Sequence, residues 1–128
     1  MSYYIGRTLT SGFDDAVGKV TEALKVEGFG VLTQIDVKAT LQQKLGVDFR
    51  PYRILGACNP GLAHKALQAE DKIGVMLPCN VIVQDAGGGQ VEVAAVNPLA
   101  AMGRLNNDAL SSIAKDVTER LTRVITSL

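Results

Sequence analysis

The sequence predicts an α+β domain, a two-layer α/β sandwich in which a mixed sheet of about five strands carries helices on one face. Val91, Val93 and Ala95 alternate with other residues in Gln90–Val96, which is typical of a half-buried strand. Apolar residues recur at helical spacing near both ends of the chain. Gly, Asn and Pro separate these stretches and give the element order βαβαβαββα.

The composition is that of one globular domain over residues 1–128, with 47% hydrophobic and 20% charged residues. Thirteen basic and thirteen acidic residues give zero net charge. This balance argues against a nucleic-acid or anionic membrane surface, because both need an excess of Lys and Arg. The longest apolar run, Ile73–Val83, is too short to span a bilayer. Without a recognisable signal peptide the expected location is the cytoplasm, where two cysteines remain thiols.

The first half of the chain alternates strands and helices. Gly28 is placed to end the first helix, and Asp36 can cap the second. The predicted elements are a strand at Tyr3–Leu9, a helix from Phe13, a strand at Phe29–Ile35, a helix at Val37–Leu45 and a strand at Tyr52–Ala57.

The second half begins with a helix at Asn59–Ala69, capped by Asn59 and with Pro60 at its first position. The turn Asp85–Gly89 joins the apolar run to the next strand as an antiparallel hairpin. The remaining predicted elements are a strand at Ile73–Val83, a strand at Gln90–Val96, a helical turn from Asn97 to Gly103 and a helix at Asn107–Ser127.

The two cysteines are the first candidates for chemistry. Cys58 ends a strand directly before a capped helix, whose free N–H groups would favour a nucleophilic or metal-binding thiolate. Cys79 follows Pro78 inside the apolar run, where burial is expected. Both can equally be small buried hydrophobic residues, since free cysteine is among the most buried residue types. Their spacing, with His64, matches no known zinc pattern.

His64 is the one histidine in the chain. It lies beside the apolar helix face of Leu62, Ala63, Ala66 and Leu67, and a half-buried or surface histidine without a special role is the simpler interpretation. Pairing with Cys58 as nucleophile and base has poor geometry at a six-residue offset.

Two strand–Asn–Pro–helix junctions, at Asn59 and Asn97, place free N–H groups where a phosphate or carboxylate could bind. Ordinary helix capping explains both junctions without a ligand. Pro78 cannot donate to a strand ladder, so it predicts a sheet edge or a bulge that could present Cys79 or Asn80 to a pocket.

The segments Gly56-Ala57-Cys58-Asn59-Pro60 and Leu77-Pro78-Cys79-Asn80, together with Val31–Thr40, resemble the domain-of-unknown-function family 302 over nearly the whole chain. The resemblance implies a small single-domain α/β fold that assembles as a dimer. It implies no established activity and no catalytic residues.

The leading hypothesis from the sequence is a binding module. It would hold a small ligand or a soft metal ion near Cys58, Asn59, Cys79, Asn80 and His64, and no cofactor is identified. The alternatives are a thiol-dependent enzyme or sulfur carrier using Cys58, and a structural or interaction domain without a site. An anion at the helix junctions is a further possible ligand.

The sequence also predicts a homodimer. Helices cover one face of a two-layer sheet, so the other face would expose alternate residues of Ile73–Val83 together with Val91, Val93 and Ala95 or their strand partners. A patch of that size is usually covered by two-fold pairing.

Overall fold

A computed structural model describes residues 2–128 as five strands, five α-helices and one 3₁₀ turn. The helices are α1 (Phe13–Val26), α2 (Val37–Leu45), α3 (Pro60–Ala69), α4 (Pro98–Met102) and α5 (Asp108–Thr126). The strands are β1 (Tyr4–Thr10), β2 (Gly30–Asp36), β3 (Tyr52–Cys58), β4 (Cys79–Gly87) and β5 (Gln90–Val96), and the 3₁₀ turn is Ile73–Met76.

The strands form one sheet in the order β1-β5-β4-β3-β2, which confirms the predicted α+β class and helix-covered sheet. All four pairings between the described strands are antiparallel, so the expected mixed sheet is wrong in this respect. The reason is the path of α1. It carries the chain from β1 to β2, which run in the same direction but lie at opposite edges and therefore never pair.

The core lies between the sheet and the helices α1, α3 and α5. Val81 and Val83 of β4, with Val93 of β5, point to this side and are fully buried. Leu24 of α1 and Leu121 of α5 cover them, since apolar residues at helical spacing line the inner faces of both helices.

This face assignment corrects the predicted dimer surface. Val91, Val93 and Ala95 lie under the helices and are buried, as is Cys79. The uncovered face instead carries Ile54 and Ile82 among polar neighbours such as Asn80. An alternating pattern gives two faces, and the sequence alone does not determine which of them the helices cover.

The predicted strand Ile73–Val83 is wrong in its first half. Ile73–Met76 is a 3₁₀ turn with Val75 exposed to solvent, and β4 begins at Cys79. Pro78 marks neither an edge nor a bulge, because it precedes a strand that lies between β3 and β5. A proline cannot donate a hydrogen bond to a central ladder, and β4 starts immediately after Pro78.

Candidate functional site

An apolar cavity lies at the end of the sheet where β3 stops and β4 begins. Its volume is about 350 Å³, and α3, α4 and α5 form its helical walls. This size falls at the lower end of the range of small-molecule pockets.

Carbon and sulfur atoms dominate the walls of this cavity. Among residues 2–128, none of those that line it carries a charge. Asn59 and Thr33 are the polar residues of the wall apart from the two cysteines. The helical walls contribute Leu62, Ala63, Ala66, Leu67, Met102, Ile113, Ala114 and Val117.

Cys58 and Cys79 both line this cavity, so the fold brings together the two thiols that the sequence singled out. Ala57 is the cross-strand partner of Cys79 in the pairing of β3 with β4, which places Cys58 one residue beyond it. Both are free thiols, with Cys58 half-buried and Cys79 buried.

The two thiols differ in how readily they ionise. Burial, and after it the nearby Cys58 thiol, raises the pKa of the Cys79 thiol to about 11. Cys79 is therefore a protonated, apolar part of the wall at neutral pH. Cys58, which is partly accessible, is the thiol available to a reagent or ligand.

Asn59 lies at the cavity wall, but its side chain is hydrogen-bonded to other groups of the protein. Its Oδ1 accepts a hydrogen bond from the backbone N–H of Leu62 at 3.2 Å, which is the predicted helix cap. Its Nδ2 donates to the carbonyl oxygen of Glu27 at 3.5 Å. Asn59 therefore shapes the cavity, and the protein already uses one N–H and one oxygen lone pair of its side chain.

The other Asn–Pro junction is built differently. Both junctions lie at one end of the sheet, because β3 and β5 run in the same direction on either side of β4. Asn97 does not cap α4, since its side chain accepts from Thr118 at 3.3 Å and donates to the carbonyl of Ser2 at 3.1 Å. The Thr118 hydroxyl instead accepts from the N–H of Leu99.

His64 and Asn80 lie away from the two thiols' cavity. His64 is exposed on α3 and does not line the cavity. Asn80 follows Cys79 in β4, so its side chain points to the opposite face of the sheet. It lines a shallower concavity of about 420 Å³ there, with Tyr3, Tyr4 and Tyr52.

Met102 and Leu32 are among the cavity residues that the sequence does not single out. Met102 is buried on α4 and lines the cavity wall. Leu32 lines the cavity while remaining 68% exposed, at the register shift between Val31 and Thr33 of β2. Leu67 of α3, 42% exposed, also lines the cavity, and these two side chains mark its mouth. No sequence spacing signals these contacts, since they arise from tertiary packing.

The described residues, 2–128, hold no group of three or more His, Cys, Asp or Glu side chains placed to bind a metal ion. A soft metal at this cavity would therefore have two thiol ligands, one of which ionises only at high pH. Within the same residues, no helix has both the length and the apolar character needed to cross a membrane.

The fold and cavity define a class of protein: a small α+β domain whose antiparallel sheet and long last helix enclose an apolar pocket. The chain belongs to the family described as domain of unknown function DUF302, which matches residues 5–128. A crystal structure of an uncharacterised conserved DUF302 protein from Bacillus stearothermophilus is similar, with a TM-score of 0.90 and 33% sequence identity. The match covers 98% of each chain. No curated protein matches this chain.

Proposed function

We propose that this domain binds a small, uncharged, apolar molecule in the cavity beside Cys58 and Cys79. The observation that carries the proposal is a cavity of about 350 Å³ whose lining side chains, among the described residues, include no charged group. A ligand carboxylate or phosphate would lose its hydration there without gaining a cation as partner. This disfavours the anion suggested by the helix junctions.

An organic ligand fits the cavity better than a soft metal ion does. Two thiolates side by side in an apolar wall repel each other, and the raised pKa of Cys79 reflects both this repulsion and its burial. An apolar ligand needs neither thiol to ionise. It gains instead from the removal of its own surface and that of the wall from water.

The experiment is a titration with N-phenylnaphthylamine, a neutral fluorophore whose emission rises in apolar surroundings. We expect saturable binding to the wild type and loss of binding in Ala63→Phe, whose larger side chain fills the cavity. Ala109→Phe is the matched control, because Ala109 is exposed on α5 and does not line the cavity. Equal binding by both variants would show that the dye does not occupy this cavity.

Thiol alkylation separates binding from the thiol-enzyme alternative. Bound fluorophore should slow the reaction of Cys58 with iodoacetamide, followed by mass spectrometry, because Cys58 lines the occupied cavity. A Cys58 that reacts quickly and is unaffected by a saturating dye favours a thiol enzyme or sulfur carrier. Two unreactive thiols in a protein that binds no dye favour a structural domain.

We also propose that the chain forms a homodimer in the cytoplasm. Two unpaired cysteines support a reducing compartment. Exposed large apolar side chains on β2 and in the following residues, Leu32, Ile35, Leu45 and Val47, support an interface between copies.

A further inference from the structure

The β2 strand is an edge of the sheet that neither proline nor charge protects along Gly30–Ile35, and its pairing with β3 is interrupted by the register shift between Val31 and Thr33. It pairs with β3 on one side, and no described strand pairs with its other side. Gly30–Ile35 contains no proline and no ionisable residue, and six of the seven residues of β2 are exposed. Exposed, uncharged edges with free N–H and C=O groups readily pair with another strand.

The segment after β2 adds apolar surface beside this edge. Helix α2 has no buried residue, and its main neighbours are β2 and β3. Leu45 is 69% exposed at its end, Val47 is 45% exposed just beyond, and Ile35 is 48% exposed in β2 itself. A helix that buries nothing within its own chain gains little from packing unless another surface covers it.

The cavity opens toward the same strand. Leu32 of β2 lines the cavity and is mostly exposed. One side of Leu32 therefore faces the cavity, and the other side faces solvent. A strand laid along β2 would lie next to Leu32. It would therefore add to the cavity wall at its mouth.

From this geometry we infer that a second copy of the chain pairs with β2 edge to edge and completes the cavity at Leu32. Dimer formation and binding of the apolar ligand then strengthen each other, because a completed wall removes more of the ligand from water. The coupling rests on the proposed function, whereas the pairing through β2 does not.

A second copy fits this edge because the edge is self-complementary. Two-fold antiparallel pairing sets the Gly30 end of one β2 against the Asp36 end of the other, so the two Asp36 carboxylates lie at opposite ends of the pair. No like charges meet along Gly30–Ile35. The other edge strand, β1, carries Arg7 at its centre, whose guanidinium donates to the carbonyl of Thr126 at 3.0 Å.

Sedimentation velocity at micromolar concentration, with and without N-phenylnaphthylamine, tests both parts. Ile35→Lys and Leu45→Lys place a charge on the edge and on α2, at exposed positions that do not line the cavity. Val26→Lys is the matched control, since Val26 is 82% exposed on α1. We expect a dimer for the wild type and for the control, monomers for the two edge variants, and roughly tenfold weaker dye binding by those monomers.

Each other outcome has one meaning. A monomeric wild type, or edge variants that both remain dimers, overturns pairing through β2. Monomeric edge variants that bind the dye as tightly as the wild type overturn the coupling. A dimer that dissociates as expected but never binds the dye overturns the proposed function and the coupling, and leaves the pairing in place.

Discussion

The side chain of Asn59 ties the start of α3 to the end of α1, because its Nδ2 donates to the Glu27 carbonyl oxygen at 3.5 Å. Arg120 of α5 donates to the same oxygen at 3.1 Å. Between the two elements lies Gly28, with φ of +84° and no room for a side chain, since an added Cβ would lie 2.9 Å from Asn59 Nδ2. Asn107 links two helices in the same way, because it caps α5 and donates to the carbonyl of Ala69 at the end of α3.

Asn59→Ala should lower the free energy of unfolding by about 1–2 kcal/mol, because it removes both the cap and the contact with Glu27. Asn59→Asp is the matched control, since its carboxylate still accepts from the Leu62 N–H but cannot donate to Glu27. Urea denaturation should rank the wild type first, Asp second and Ala last. An Asp variant no more stable than the Ala variant would mean that the cap contributes nothing.

Gly56 of β3 leaves space that Thr33 and Pro78 occupy. A Cβ at this position would overlap the hydroxyl oxygen of Thr33 and lie 2.9 Å from Cγ of Pro78. Gly56→Ala should therefore lower the free energy of unfolding by about 1–3 kcal/mol through overpacking. Gly30→Ala is the control, because nothing lies within 4 Å of its added Cβ. Equal denaturation midpoints for the two variants would contradict this account.

Local sequence patterns predict most of the helices, strands and turns of this fold. The Asn59 cap before Pro60, the positive φ of Gly28 after α1 and the hairpin at Gly87–Gly89 each follow from a preference of one residue type in one conformation. These preferences act within a few residues, so the sequence predicts them well. The confirmed sheet with helices on one face follows from assembling such elements.

The rest depends on distant contacts. An apolar run such as Ile73–Val83 has no period that distinguishes a strand from a turn followed by a strand, and the pairing of β4 with β3 and β5 decided its division. The sequence selected Cys58 and Cys79 as unusual residues, but their meeting depends on the register of β3 with β4. Leu32 and Met102 join them through a bulge and a five-residue helix that have no pattern of their own.

Glu27 should contribute to the acid sensitivity of the domain. Its carboxylate accepts two hydrogen bonds from Arg123, at 2.9 and 3.1 Å. These hydrogen bonds, and after them the charges of Arg123 and Arg120, hold the pKa of Glu27 below 4.5 against the opposing effect of burial. A lowered pKa in the folded state means stability that is present above pH 4.5 and lost as the pH falls through the folded pKa.

Denaturation of the wild type and Glu27→Gln across this pH range checks the expectation. The wild type should be the more stable above pH 4.5, and the difference should shrink in more acidic solution. In an Arg123→Gln background the pH dependence of that difference should be much smaller, because the main cause of the shift is gone. A difference that persists unchanged in that background would assign the effect to another group.

Cys79 should give the domain an alkaline limit. The pKa of its thiol is 9.0 in the unfolded chain and about 11 in the folded protein. Between these values the unfolded chain loses its proton first, so rising pH favours unfolding. The contribution is fully present below pH 9 and is lost as the pH rises through the folded pKa, with a total of roughly 2–3 kcal/mol.

Cys79→Ala, which has no thiol to ionise, should lack this part of the decline even though its truncation lowers stability at neutral pH. Urea denaturation of both proteins from pH 8 to 11 measures the difference, in which the titration of lysines and tyrosines largely cancels. Parallel pH profiles would show that Cys79 ionises as easily in the folded protein as in the unfolded chain. They would contradict the description of Cys79 as a buried, protonated part of the cavity wall.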